Sequence, residues 1–165
     1  MLRAWLLGLC LLLGACAGHT PVPDTAPTLV AALPLSLQIQ RQQAGEQRDW
    51  LLVLQAEGTA LRWSLFDPLG VPLARQLLQD GEWRNDGLLP PNAEARELFA
   101  ALLFALSNEA ALQDYPAGSW QRSADGQRRL NPGWLIRYRA PLDFTLNSAS
   151  DLAYQVSVLP QEEGR

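Results

Sequence analysis

The sequence predicts an α+β domain in which a single antiparallel sheet wraps around an apolar helical plug. Three observations point there. Runs with a period of two are separated by turn signals about every 8 to 12 residues. A central segment, residues 98–106, is apolar on every side at helical spacing. One strand, residues 50–54, is apolar at every position, so neither of its faces is expected to meet water.

The first strand is announced by Leu35, Leu37 and Ile39 alternating with Ser36, Gln38 and Gln40, and Gly45 marks the turn that ends it. After the all-apolar strand 50–54, Gly58 turns the chain into residues 61–66. There Leu61, Trp63 and Leu65 face one way while Arg62 and Ser64 face the other. Asp67-Pro68-Leu69-Gly70 has Asp first, Pro second and Gly fourth, the composition of a type I turn. Val71, Leu73 and Leu77 carry the next strand to Asp80-Gly81.

Pro90-Pro91-Asn92 halts the strand pattern, and Asn92 is a good N-cap with Glu94 and Glu97 near the positive end of the helix that follows. Leu98, Phe99, Leu102, Leu103 and Leu106 recur at helical spacing, and Ala100, Ala101, Phe104 and Ala105 fill the gaps, which makes this a buried helix. A second short helix is expected from Ser107 through Ala110 to Leu112, broken by Pro116 and Gly118. Strands return at 134–139, 142–147 and 152–159, punctuated by Gly133 and Pro141. The order is sheet, buried helix, sheet.

The N-terminus reads as a secretion signal. Arg3 is its positive end, and residues 5–13 are almost wholly apolar. That run is too short to span a bilayer, which takes about 20 residues. Leu13-Gly14-Ala15-Cys16 resembles the lipobox of bacterial lipoproteins, in which the cysteine is acylated and opens the mature chain. Cys10 is the poorer candidate, because Leu9 is bulky at the cleavage point. The expected organisation is a signal peptide at 1–15, the lipidated Cys16 with a flexible tether to residue 32 containing Pro21, Pro23 and Pro27, a domain at 33–160, and a tail at 161–165. With Cys16 acylated, no pair of thiols is left for a disulfide.

Removing 15 residues from the 165 leaves 150, enough for one core. All 13 basic residues are arginine against 17 acids, and losing Arg3 takes the net charge from −4 to −5. That balance argues against nucleic-acid binding, which phosphate neutralisation dominates. Membrane contact is expected through apolar groups.

Catalytic groups are scarce. The only histidine, His19, lies in the tether, and there is no lysine, so a triad of nucleophile and base has no base. Asp80, Glu82 and Asp86 around Trp83 lack the spacing of a calcium loop and read as a solvated turn. Glu94 and Glu97 read as ordinary charges at a helix start. Arg128, Arg129, Arg137 and Arg139 admit two placements: outward into water, the preferred one for Arg137 and Arg139, or inward against helix carbonyls or a polar headgroup. The expectation is a protein that is not an enzyme and holds no cofactor or metal.

Leu69 occupies the third turn position, where polar residues are usual, with Val71 and Leu73 close behind. It either folds back onto the sheet or makes the hairpin tip a greasy finger. Residues 61–70, Leu-Arg-Trp-Ser-Leu-Phe-Asp-Pro-Leu-Gly, resemble the hairpin of LolB-type outer-membrane lipoprotein acceptors around their Asn-Pro-Leu-Gly turn. The helix with Leu102, Leu106 and Ser107, the strand 133–138 and residues 142–159 follow the same order of elements. The chain is also similar to small outer-membrane lipoproteins linked with aryl-polyene lipid clusters.

The resemblance implies a curved antiparallel sheet, an incomplete barrel, with helices covering its concave face over an apolar cavity for acyl chains. Leu69 then matches the family's membrane-inserting leucine, flanked by Pro68, Gly70 and Val71. The cavity lining is expected from Leu52, Leu54, Trp63, Leu98, Leu102, Leu103 and Leu106. Ala17 after the lipidated cysteine implies outer-membrane sorting, on the periplasmic face. The implied partners are the outer membrane itself, through the N-terminal acyl groups, acylated lipid or lipoprotein cargo, and a soluble periplasmic LolA-like carrier. The sequence departs from the family at Asp67, where the acceptors have Asn, and in its unbroken helix. The competing expectation is a scaffold lipoprotein whose helix fills the sheet and whose surface binds a partner protein.

Overall fold

A computed structural model of the chain describes residues 18–159. The signal segment 1–15, Cys16 and the tail 161–165 lie outside them. Ten strands form one antiparallel sheet: β1 (Leu35–Gln43), β2 (Glu46–Glu57), β3 (Ala60–Phe66), β4 (Pro72–Gln79), β5 (Glu82–Asn85), β6 (Trp120–Arg122), β7 (Arg128–Leu130), β8 (Trp134–Ala140), β9 (Asp143–Asn147) and β10 (Ala153–Val158). Their spatial order is β5-β4-β3-β2-β1-β10-β9-β8-β7-β6, so the first and last strands of the chain pair at the centre and the sheet stays open at β5 and β6. Among the described residues a single α-helix, α1 (Ala93–Leu106), interrupts the strand succession.

Expected and observed strands agree over β1 to β4 and β8 to β10, with β2 extended at both ends. The short strands β5, β6 and β7 carry too few alternating residues to announce themselves. The second helix starts later than expected and is a 3-10 helix, Ala110–Asp114, because Asn108 Oδ1 accepts from the Ala111 N–H at 2.9 Å and delays the first turn.

Alternation sorts the sheet into two faces. Leu37 and Ile39 on β1, Leu52 and Leu54 on β2, Trp63 and Leu65 on β3, and Ile136, Phe144, Leu146, Tyr154 and Val156 on the other half are all buried in one core with α1. The expectation that both faces of residues 50–54 are covered does not hold: Leu51 and Val53 are only half-buried. Their lateral neighbours, Phe66 opposite Leu51 and Ser64 opposite Val53, shield them in place of a second layer.

Asn92 caps α1 as expected, its Oδ1 accepting from the Ala95 N–H at 3.0 Å, and ten of the fourteen helical residues are buried. The sheet is curved, and both of its edge strands reach this helix. Trp83 on edge strand β5 stacks 6.1 Å from Phe99, and Trp120 on the opposite edge strand β6 lies 6.0 Å from Phe104. Those two phenylalanines are about 7.5 Å apart along the helix axis, whereas a flat sheet of this width would set its edges about 43 Å apart.

The four carbonyls at the C-terminal end of α1 are all satisfied, as a buried helix end requires. Ser107 N–H and Oγ donate to Leu103, Arg128 donates to Phe104 at 3.3 Å, the Tyr138 hydroxyl donates to Ala105 at 2.9 Å, and Val30 N–H donates to Leu106 at 2.8 Å.

Candidate functional site

The β3–β4 hairpin tip is built around the Asp67 carboxylate. Its Oδ1 accepts from the backbone N–H groups of Leu69 at 2.9 Å and Val71 at 2.8 Å, while the Gly70 N–H donates to the Asp67 carbonyl at 3.0 Å. Gly70 takes φ +82, a conformation glycine adopts without penalty. An aspartate serves this double acceptance well, since both carboxylate oxygens are acceptors only. With the backbone fixed, Leu69 does not fold back: it is 89% exposed, and Val71 beside it is also exposed.

The seven residues expected to line a cavity, Leu52, Leu54, Trp63, Leu98, Leu102, Leu103 and Leu106, are brought together between sheet and helix, and each is fully buried in the common core. Among the buried polar atoms of the same region that have no hydrogen-bond partner are Trp63 Nε1 and Gln76 Oε1. They belong to residues directly opposite one another on β3 and β4. An unpaired buried polar atom costs about 1 to 3 kcal/mol.

A cleft of about 570 Å³ opens elsewhere, between the first turns of α1 and the loops that precede β8 and β10. Glu94, Glu97, Trp134, Ala149, Leu152 and Tyr154 line it. Glu94 is held by Arg41, whose Nε and one terminal nitrogen both donate to it, and by the Tyr154 hydroxyl at 2.7 Å. Burial alone would push this carboxyl up, but the hydrogen bonds from Arg41 and Tyr154 outweigh it and hold Glu94 below the ordinary glutamate range.

The segment expected to be a flexible tether is fastened over most of its described length. Thr20 is buried, and its N–H donates to Glu97 Oε2 at 2.9 Å while its hydroxyl donates to the same oxygen. Trp134 Nε1 then donates to the Thr20 hydroxyl at 2.8 Å. Further on, a methyl group at Gly81 would come 3.1 Å from the Asp24 Cα, so the strand turn and the strap meet closely. At its far end the strap pairs with the helix terminus through Val30 N–H to Leu106 and Asn108 N–H to the Thr28 carbonyl. The proline spacing that suggested a free tether suits a strap equally well, because an extended segment with few N–H groups is satisfied by a handful of bonds.

Arg137 and Arg139 face water, where they bond Asn147 and Asp143. Arg128 takes the other placement. It is buried, donates to the Phe104 and Ser107 carbonyls, pairs with Glu109 at 2.9 Å, and lies 5.2 Å from the Tyr138 ring. Burial pushes the Tyr138 hydroxyl up to about 12. Leu130, two residues on and buried, was the signal that Arg128 points inward. Asp86 is paired with Arg62 at 2.8 Å and Arg75 at 3.4 Å, and Glu82 with Arg84. Among the described residues no three His, Cys, Asp or Glu side chains gather as metal ligands would.

Compared with models of known protein families and with curated protein sequences, the chain matches none.

Proposed function

We propose that this is a lipid-anchored protein of the outer membrane's periplasmic face. It takes acyl chains of lipid or lipoprotein cargo between its sheet and its helix, and releases them into the adjoining leaflet. In this reading α1 covers the concave face of an incomplete barrel. Its two sides separate to admit hydrocarbon among Leu52, Leu54, Trp63, Leu98, Leu102, Leu103 and Leu106. Acylation at Cys16 supplies the anchor, and a soluble periplasmic carrier of LolA-like chemistry supplies the cargo. No step calls for a catalytic group.

The observation that carries the reading is Leu69, held 89% exposed on a turn whose backbone is fixed by Asp67. Exposing a leucine on a rigid tip has no folding benefit, whereas transferring one into hydrocarbon contributes about 1.5 to 3 kcal/mol. Leu69→Glu tests it: folding and binding of a fluorescent fatty acid stay intact, and delivery of acylated cargo to vesicles is lost. Unchanged delivery removes the finger.

A scaffold lipoprotein that binds a partner protein is the second reading. It is favoured by one observation, that all seven side chains of the expected cavity are fully buried against one another.

A further inference from the structure

We infer that the loop joining β5 to α1 is a second lipid-contacting element, so that this end of the molecule meets a bilayer at two points. The inference rests on the reading that Leu69 enters a lipid surface, and it adds a residue and an orientation to it. Leu88, in the sequence Gly87-Leu88-Leu89-Pro90-Pro91, is fully exposed, and with Leu69 it is the most exposed large apolar residue described.

The two tips share one end of the sheet. The loop leaves β5 where the Asp86 N–H donates to the Arg75 carbonyl at 3.1 Å. It reaches α1 where Asn92 Nδ2 donates to the Leu73 carbonyl at 3.4 Å. Both acceptors lie on the first half of β4, the strand that begins at the Leu69 tip, and Phe66 and Pro72 pair at the base of that tip. Its start is further held by the Asp86 pairs with Arg62 and Arg75, and two prolines stiffen its end. Leu88 is thus displayed on a braced loop, as Leu69 is on a capped turn.

What covers these side chains is indicated by where the chain enters the fold. Following the register from strand to strand, the turns before β2, β4, β8 and β10 all lie at this end. Thr20 is pinned here, to Glu97 and Trp134, beside the 570 Å³ cleft. Cys16 is four residues earlier, a reach of at most about 14 Å. A lipid on Cys16 therefore brings the bilayer to the end that carries Leu69, Val71 and Leu88. The surface fits the hydrocarbon of a leaflet, and the contact turns the mouth of the cleft toward the membrane.

The test uses the full chain with Cys10→Ala and Cys16→Ala, and one new cysteine at Leu69, Leu88 or Ala124 carrying a polarity-sensitive dye. Ala124 is exposed in the β6–β7 turn at the opposite end. The proteins are mixed with phosphatidylcholine–phosphatidylethanolamine vesicles containing a nitroxide quencher within the acyl region. Dyes at 69 and 88 both blue-shift and are quenched, and the dye at 124 is unchanged. In the undyed chain, Leu88→Glu lowers vesicle partitioning about tenfold or more. Response at 69 with silence at 88 overturns the second contact and leaves the finger standing. Silence at both overturns the two together, as does equal response at 124. Near-ultraviolet circular dichroism matching the unmodified chain confirms that each variant is folded.

Discussion

Thr20 and Glu97 are joined by two hydrogen bonds to a single carboxylate oxygen, one from the threonine N–H and one from its hydroxyl, across 77 residues of sequence. Trp134 adds a third bond to the same knot. The N-terminal segment therefore belongs to the folded domain from Thr20 onward. The anchor proposed at Cys16 would be joined to that domain by only the residues between Cys16 and Thr20.

Thr20→Val removes the hydroxyl and leaves Glu97 and the buried Trp134 N–H each short of a partner. The expected cost is about 1 to 3 kcal/mol, read as a lower denaturation midpoint with an unchanged slope. Limited proteolysis should cut the strap faster in the variant at conditions where the domain stays intact.

Arg128→Met should cost about 2 to 4 kcal/mol in the same measurement. The thioether replaces the stem's packing but none of the donors, so the Ser107 carbonyl loses its partner, the Phe104 carbonyl keeps only the Ser107 N–H at 3.3 Å, and Glu109 loses one of its two arginines. Arg128→Lys recovers part of the loss, since an ammonium donates but cannot span the forked arrangement.

Acid should act partly through Glu94. Its carboxyl is held below the ordinary value of 4.5 once the bonds from Arg41 and Tyr154 outweigh burial. The folded state therefore binds this proton less readily than the unfolded chain. The stabilisation is complete above pH 4.5 and is lost as pH falls through the folded-state value. Stability measured against pH should fall more gently below pH 4.5 in Glu94→Gln than in the parent. The effect is modest, because Glu94 is 40% exposed and solvent screens it.

The residues that were legible in the sequence are those whose signal is local. Asn92, the apolar stretch from Leu98 to Leu106, the alternation of β1 and β3 and the turn at Asp67 each carry their structure within a few neighbours, and they fold as expected. Thr20, Glu97 and Trp134 meet across more than a hundred residues, so no window contains their relationship. Strands β5 to β7 are three or four residues long and exist because the sheet supplies their partners. Leu88 carried a signal akin to that of Leu69, an apolar residue in a loop punctuated by glycine and proline. Without the sheet there was no sign that the two tips share an end.

Whether acyl chains enter between sheet and helix is decided by a fluorescence titration of the Cys16→Ala chain with a long-chain fatty-acid probe, beside the same chain carrying Leu102→Trp. Acyl-chain uptake between sheet and helix predicts saturable binding to the parent, weakened about tenfold by the larger ring at position 102. Absence of saturable binding, or binding indifferent to Leu102→Trp, would contradict it and leave the buried leucines as a solid core.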